Sequence, residues 1–516
     1  MHVIEPRRHA GGSSSPISTD RFDVAVLGAG MSGMTAALLL ASAGQRVVLL
    51  DAHTEPGGCA GFFRRRDYSF DVGATTFISF QDGGIGHRLL SRAGLADPPL
   101  RRIDRYVLSL PDRQVPIPWQ AERWVDTWAG AFPELGEGGR RFFHDLARTA
   151  EDYWAVACGL PSLPLQRFRD VARCLAAVPP SAYGSLRWFF STFDAFLSRY
   201  GLPESPALRG AVNMLLQDTT QARLEEVPAP YAFLGLTLMP HGLYRPVGGA
   251  RGLWGYLLSA FRAAGGDFRR KHEAVRVDRA AGGWELHFSR GKAPVRCERL
   301  VSAIPVWDTH RIAPHLFRGR LDRYLERRER LDSAFALYLG VRDVFAEDAP
   351  RHVQVLRRYG GELSDGNNFL VSLSEPGDLG YAPAGFRSVT ISTHTDPRDW
   401  ERLDEAGRQE KGRAIVEDFL AGAEDVFPGF REAIVPEHFY PASPHTYKRF
   451  TRRYLGMAGN QPLALHNANL RAIPNSFGTP NFVQIGDTTF PGAGTVACML
   501  SGFNAYRDCM GHVLAA

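Results

Sequence analysis

Near the N-terminus, six residues have types and spacing that could act together in one binding site. They are Gly28, Gly30 and Gly33, then Asp51, then the pair Gly57-Gly58. Gly28 permits a tight turn. Gly30 lets backbone approach a pyrophosphate, and Gly33 lets a helix pack close to a strand. The pyrophosphate sits on the helix N-terminus, where amide N–H groups and the helix dipole favour an anion. Asp51 is placed to accept hydrogen bonds from ribose hydroxyls, and its charge repels a 2′-phosphate, which disfavours NADP. A second glycine pair so close to the acid holds more backbone against the ligand, as an extended FAD needs. The plainer alternative is a glycine-bearing βαβ unit with no ligand.

The elements that position these residues can be read around them. The apolar run Val24 to Leu27 enters the turn, an apolar helix-like run leaves it, and a second apolar run, Val47 to Leu50, ends at Asp51. At the other end of the chain, Phe482 to Ile485 reads as a strand running into Gly486-Asp487. A loop from Pro491 to Gly494 then feeds a helix expected from about Thr495 to Leu514. That helix N-terminus is electropositive. Beside a flavin pyrimidine it would stabilise the anionic reduced ring. Asp487, at a strand end, suits hydrogen bonding to a ribityl chain or ribose; loop capping is its alternative role.

Other chemistry is sparse. The six cysteines include no CxxC pair, which speaks against a zinc site and against a disulfide oxidoreductase, so no metal is expected. No Ser/His/Asp or Cys/His nucleophile pattern stands out. Hydride transfer to a flavin needs orientation and a dry cavity more than a nucleophile. Among the histidines, His241, between Pro240 and Gly242, and His445 lie in segments that could approach a flavin from the substrate side. His241 is the catalytic candidate; a hydrogen-bonded structural role is the alternative.

With 516 residues the chain has room for two or three domains and a large core. A net charge of +5, from 60 basic and 55 acidic residues, gives no argument for nucleic acid. Residues 1–20 read as a disordered leader. No stretch reaches the roughly 18 apolar residues that span a bilayer. Cysteine usage fits a reducing cytoplasm. A cofactor domain is expected to be discontinuous, over 20–110, 245–310 and 455–516, with 111–244 and 311–454 forming a substrate domain. Short strands are expected at Ala274–Val277, Trp284–Phe288 and Leu300–Ala303, then at Ser333–Val341, Phe369–Leu373 and Val389–Thr393. There is no second GxGxxG, so NAD(P)H has no separate domain, and electrons must pass to or from a separate acceptor or donor.

The GAGMSG turn, Asp51, the PGG pair and FDVGATTF (Phe70 to Phe77) resemble the phytoene desaturase and carotenoid isomerase branch of the FAD-dependent amine oxidase superfamily. So do RPVGGARGL (Arg245 to Leu253) and IGDTTFPGAGTVACMLSG (Ile485 to Gly502). The resemblance implies an α/β protein: a discontinuous Rossmann-type FAD-binding domain of the GR2-like flavoprotein fold with an inserted α+β substrate domain. It implies ADP contacts at Gly28, Gly30, Gly33 and Asp51, with Met31, Ser32 and Ala52 beside them, and pyrophosphate contacts at Gly57 and Gly58. It adds Gly73, Ala74 and Thr75 to the cofactor set, and Val275 as the residue whose backbone holds the adenine end. Gly486 and Asp487 look like the ribityl and phosphate contacts, and Gly494, Thr495 and Val496 sit where the last helix meets the flavin ring. One position departs: many amine oxidase members carry arginine after the glycine pair, and here it is Cys59. Amine oxidation in that superfamily also uses an aromatic cage and an invariant lysine, and the four lysines of this chain offer no candidate.

The function this implies is desaturation, saturation or isomerisation of carbon–carbon bonds in a long hydrophobic polyene or carotenoid-like substrate, bound in an apolar tunnel lined by the two insertions. The alternatives are a flavin-dependent cyclase that tailors a polyene, an amine oxidase, and an FAD-stabilised lipid-binding protein. Residues 160–200 carry apolar side chains at helical spacing with interspersed arginines and clustered aromatics. Such a segment can lie peripherally in a membrane interface, or form a tunnel mouth. A buried amphipathic helix is the commoner outcome.

Overall fold

The computed structural model describes residues 21–325, 330–459 and 461–511. The expected leader, residues 1–20, lies outside them. Two sheets organise the chain. In the first, five strands run parallel in the order Asp267–Arg269, Val47–Leu50, Arg21–Leu27, Val295–Ser302 and Phe482–Gln484. Both faces are covered, so these strands are uniformly apolar rather than alternating; Val47 to Leu50 are all buried. The N-terminal half of Val295–Ser302 turns away into an antiparallel meander with Gly283–Phe288 and Ala274–Ala280. One Rossmann-type sheet is thus closed by three stretches far apart in sequence, as the discontinuous fold class requires.

The helix Met31–Ser42 follows the first strand and is buried from Met31 to Ala41. A helix that is apolar all round must be covered on all sides. The last helix, Thr495–Met510, covers it; a Cβ on Gly502 would lie 2.4 Å from Ser32 O. Gly511, left-handed at φ +74°, closes that helix. The stretch expected to carry it on to Leu514 lies outside the described residues.

The second sheet runs in the order Ile434–Ala442, Ser333–Arg342, Phe386–Thr395, Asn368–Leu373, His352–Leu356, Tyr106–Ser109 and Gln114–Ile117. Alternate residues of its strands, such as Val353, Val355, Phe369 and Val371, form one core with Ile415 and Phe419 of the helix Glu405–Val426. On the other face, Leu108 and Leu356 join a helical layer centred on Trp124, Trp128, Phe142, Phe143 and Phe233. The hairpin Tyr106–Ile117 belongs to this sheet and spans the expected division at 110.

The segment 160–200 is less regular than its apolar spacing suggests. Pro164, Pro179 and Pro180 cannot continue a helix. A helix forms over Phe168–Ala177, a tighter helical segment over Pro180–Phe190 and one short turn over Phe193–Leu197. Trp188, Phe193 and Phe196 go into the core, while Phe190 does not.

A buried cluster joins the two sheets. Asp71 accepts from Tyr381 Oη at 2.6 Å and from the Ala250 N–H, at the start of the helix Gly249–Ala263, at 2.9 Å. Arg245 Nε donates to Tyr381 Oη at 2.9 Å, its Nη2 lies 3.5 Å from Asp71, and its Nη1 donates to Leu373 O in the second sheet. Burial opposes the guanidinium charge, but Tyr381 and Asp71 hold Arg245 above its ordinary value. The FDVGATTF and RPVGGARGL segments are therefore tied by one ion pair with no access to water.

Candidate functional site

The first glycine turn is built as its spacing demands. Gly28 adopts φ +101°, where a side chain would be strained. A Cβ on Gly33 would sit 1.9 Å from Gly28 O and 3.1 Å from Ala303 Cβ, so helix and strand approach as closely as only glycine permits. Gly30 is different: nothing lies within 4 Å of where its Cβ would be. Its role is to leave space on the outer side of the turn.

The second glycine pair faces that space. Gly57 pairs with Gly30 in a single parallel bridge, and its N–H donates to Ala29 O at 2.8 Å. At φ +133° Gly57 is a conformation for glycine alone, and its Cβ would strike Gly61 Cα at 2.4 Å. A Cβ on Gly58 would be 3.7 Å from Gly30 Cα. Two side-chain-free turns thus flank one slot at the N-terminus of Met31–Ser42, which suits a pyrophosphate.

The acid stands at one end of this slot. Asp51 accepts from the Ala29 N–H and the His53 N–H, both at 2.7 Å, which fixes its carboxylate and leaves two of about four acceptor positions. Burial pushes its pKa up, and the two backbone bonds oppose that. Ala52 follows it in the same bend. The chain returns over Asp51 through the His272 N–H, which donates to Asp51 O at 2.7 Å, and reaches Val275. There the ladder with Gly283–Phe288 shifts register between Ala274 and Arg276. Val275, 49% exposed, is the residue skipped, so its backbone is available to a ligand.

At the other end, Gly486 packs over the first turn; a Cβ there would lie 3.3 Å from Ala303 O and 3.7 Å from Ser32 Oγ. Its N–H donates to Ser501 Oγ of the last helix at 3.1 Å. Met31, Ser32, Thr495 and Val496 are buried between these elements. Gly494 precedes the last helix, whose first N–H groups have no intrahelical partner. The loop 73–75 closes the side: the Ala74 N–H donates to Cys59 O at 3.3 Å, a Cβ on Gly73 would meet that same oxygen at 2.7 Å, and Thr75 is buried.

Beside Cys59 lies a residue that no sequence motif marks. Arg453 Nη2 donates to Asp487 Oδ2 at 2.6 Å and to Gly459 O at 2.8 Å, and its Nε donates to Met457 O at 2.7 Å. Burial would lower its pKa, but Asp487 and Cys59 hold it up. Burial pushes the Cys59 thiol up, only partly offset by Arg453, so position 59 is neutral and the cation of this corner is Arg453. Nothing in an arginine-rich sequence singles it out 34 residues before Asp487. Tyr338 and Tyr447 are equally unmarked; both donate to Val72 O, just before Gly73, and their oxygens are 3.0 Å apart.

His241 is engaged elsewhere. Its Nε2 is 3.2 Å from Glu151, and its ring stacks on Trp154 at 4.4 Å. His445 Nε2 is 4.0 Å from Glu401. Among the described residues no group of three or more His, Cys, Asp or Glu could hold a metal ion. A narrow cavity beside Thr488–Pro491 is lined by Tyr231, Leu463, Ile473 and Phe490 with Asn467 and Gln461.

The chain is similar to several known proteins. The NAD(P)-binding Rossmann-like domain family matches residues 26–93. Prolycopene isomerase 1, chloroplastic, of an Oncidium hybrid cultivar is 25% identical over 97% of this chain and 86% of its own length. The lycopene-forming phytoene desaturase of Pseudescherichia vulneris is 25% identical over 91% of this chain and 95% of its own. A solved double mutant of putrescine oxidase superposes with a TM-score of 0.63 at 15% identity, covering 96% of this chain and all of that one. The resemblance read from the motifs extends over nearly the whole chain. The fold is mixed α/β with a Rossmann-like domain and is shared with the solved putrescine oxidase. Among the described residues no helix is long and apolar enough to cross a membrane.

Proposed function

We propose that this chain is an FAD-dependent oxidoreductase that desaturates, saturates or isomerises carbon–carbon bonds of a long polyene of the carotenoid type. The observation that carries the reading is the slot between Gly30 and Gly58, with Asp51 at one end and Asp487 at the other, in a chain similar along its length to a prolycopene isomerase and a phytoene desaturase. The residues present fit FAD: two open glycine turns for the pyrophosphate, a fixed carboxylate for the ribose and a skipped backbone at Val275 for the adenine. FAD, when bound, supplies a two-electron centre able to accept or return a hydride.

The chain's own part is to bind, orient and exclude water. Asp487, held by Arg453 through Oδ2, would have its other oxygen free for a ribityl hydroxyl. The N–H groups at the start of Thr495–Met510 would favour negative charge on a flavin bound beside them, as a helix N-terminus does. Apolar walls from the insertions would hold the reacting carbons dry over the ring. A hydride moving between carbon and the flavin needs orientation more than a nucleophile; desaturation also releases a proton from the neighbouring carbon, and saturation takes one up. Amine oxidation has less support. Lys411 pairs with Asp365 at 3.1 Å, Lys448 with Glu401 at 2.8 Å, Lys292 lies 3.3 Å from His272, and Lys271 sits in an exposed turn.

Heat release of the cofactor, with chromatography of a polyene incubated with the holoprotein, tests the reading. One FAD per chain and a polyene altered in double-bond number or geometry are expected. A protein that binds no FAD, or that binds it and leaves every polyene unchanged while an amine bleaches the flavin, would overturn it.

A further inference from the structure

We infer that Asp218, His394 and Asp332 form a proton relay between solvent and the space beside the flavin slot. The inference rests on the FAD reading of that slot and deepens it. His394 Nδ1 lies 2.7 Å from Asp332 Oδ2, and its Nε2 lies 3.8 Å from Asp218 Oδ1. Exposure falls along the row: the Asp218 side chain is 41% exposed, His394 18% and Asp332 8%. Burial would lower the His394 pKa, but Asp332 and Asp218 hold it up. Burial pushes Asp332 up, against the pull of His394. An acid able to give a proton thus faces a carboxylate able to take one. The other charged groups around the row have partners of their own. Asp365, whose N–H donates to His394 O, pairs with Lys411 at 3.1 Å, Asp396 pairs with Arg398, and Arg330 pairs with Glu226. Tyr106, whose hydroxyl feels the Asp218 charge, donates to Gln354 Oε1 at 2.8 Å.

Both ends of the row rest on the loop that presents Arg453 to Asp487. At the buried end, Ser333, next to Asp332, donates from Oγ to Gly456 O at 2.7 Å. At the exposed end, Asp218 lies in the last turn of the helix Pro206–Thr220, whose Thr220 O accepts from the Leu463 N–H at 2.9 Å. The side chain of Gln221 then covers Gly459, whose carbonyl holds Arg453. The second sheet leaves room beside this loop. Phe335, Leu337, Val371 and Ile391 pack against the helix Glu405–Val426, so the residues between them point the other way. On that face Ala334, His394, Ser392 and Leu370 are cross-strand neighbours on interior strands, yet all four stay half-buried. Tyr338, on the same face, donates to Val72 O just before Gly73 of the cofactor set. Open space therefore lies over this face, on the side of the slot.

A relay answers a need that the chemistry creates. Desaturation sets a proton free in a dry space, saturation draws one in, and apolar walls offer it no path. Outward, a proton from that space adds to Asp332. The imidazolium loses its Nε2 proton to Asp218, and Asp218 passes it to water. A turn of the neutral ring presents its bare nitrogen to Asp332, whose proton restores the imidazolium. One proton enters and one leaves, only N–H and O–H bonds change, and the reverse sequence brings a proton in. Histidine suits the middle position because its two nitrogens can hold and release protons on opposite sides.

The test needs no polyene. Holoprotein reduced by two electrons is mixed anaerobically with ferricyanide in weak buffer containing a pH dye. Each ferricyanide takes one electron and no proton, so two of them remove both electrons and one proton must leave each flavin. Flavin recolouring and dye response should coincide in the native protein. In Asp218→Asn and in His394→Ala the proton should reach the dye about a hundredfold later, the low end of what a positioned acid or base contributes. Dissolved imidazole should restore the rate of His394→Ala. Nitrogen-15 histidine spectra, with the His394 signal identified by its loss in His394→Ala, should show a protonated ring at about pH 8 that titrates lower in Asp332→Asn. Flavin content shows which variants fold, and Asp218→Asn, altered at the most exposed position, decides if His394→Ala does not. Proton release in step with recolouring in the variants, no rescue by imidazole, or a neutral His394 ring overturns the relay and leaves a structural ion-pair row. A protein that binds no FAD is colourless before any mixing; that result overturns the flavin reading, and the relay with it.

Discussion

Arg453 Nη2 stands 2.6 Å from Asp487 Oδ2, and this pair fixes the carboxylate proposed to meet the ribityl chain of the cofactor. Arg453→Met leaves that carboxylate buried, unpaired and close to an anionic cofactor. Breaking a buried pair costs about 3–5 kcal/mol. FAD affinity, read by quenching of flavin fluorescence, should therefore fall at least a hundredfold, while Arg453→Lys recovers part of it. Unchanged affinity in Arg453→Met would show that Asp487 does not touch the cofactor.

Gly30 and Gly33 should respond differently to the same substitution. Gly30→Val puts a Cβ where nothing in the protein lies within 4 Å but fills the slot, so it should fold with a nearly unchanged apo-protein Tm and bind no FAD. Gly33→Val puts a methyl-bearing carbon 1.9 Å from Gly28 O and should fail to fold. Circular dichroism with flavin content separates the two outcomes.

The joint between the sheets predicts a stability effect away from the slot. Asp71→Asn leaves Arg245 buried without its counter-charge and should cost about 3–5 kcal/mol. Tyr381→Phe removes one hydroxyl from the same cluster and should cost about 1–3 kcal/mol. Denaturant unfolding of the two single variants and the double variant should show clear non-additivity, because the side chains share one network.

His394 makes stability depend on pH. Burial would lower its pKa, but Asp332 at 2.7 Å and Asp218 at 3.8 Å hold it up, to about 10. A histidine raised above its unfolded value stabilises the fold fully below pH 6.5, and that contribution is lost as pH climbs towards 10. Tm should fall across this window, by at most about 1.4 kcal/mol of stability per pH unit. His394→Gln should flatten the profile when both are followed by calorimetry.

The cofactor fold was legible because its parts are local. The βαβ unit, Gly486-Asp487 and the strands from Ala274 to Ala303 each announce themselves over short stretches of sequence through turn glycines and apolar runs. The structure lengthens those strands, to Ala274–Ala280, Gly283–Phe288 and Val295–Ser302, because pairing extends past the apolar core of each. Arg453, Tyr338, Tyr447 and the Asp71–Arg245–Tyr381 cluster were not legible. Each works through a partner more than thirty residues away, and a lone arginine or tyrosine carries no pattern. The 160–200 segment was half legible. Its helical spacing is real, but only the fold shows that Trp188 and Phe196 point inward while Phe168 and Leu175 point out.

Among the described residues the glycine turns build one dinucleotide slot, which the proposed function gives to FAD. Either nicotinamide alone should therefore reduce the bound flavin slowly and without saturating at micromolar concentration. Fast, saturable reduction in anaerobic stopped flow would reveal a second site.

The most direct test is a single anaerobic turnover. FAD-loaded protein is mixed with a long polyene carried in anionic vesicles, flavin absorbance is followed, and the polyene is recovered for chromatography. The account predicts a polyene changed in the number or geometry of its double bonds, with flavin bleaching or recolouring in step when bond number changes. In the case of isomerisation, pre-reduced flavin should support turnover with no net redox change. A polyene returned unaltered under oxidised and reduced conditions alike, from protein carrying one FAD per chain, would contradict it.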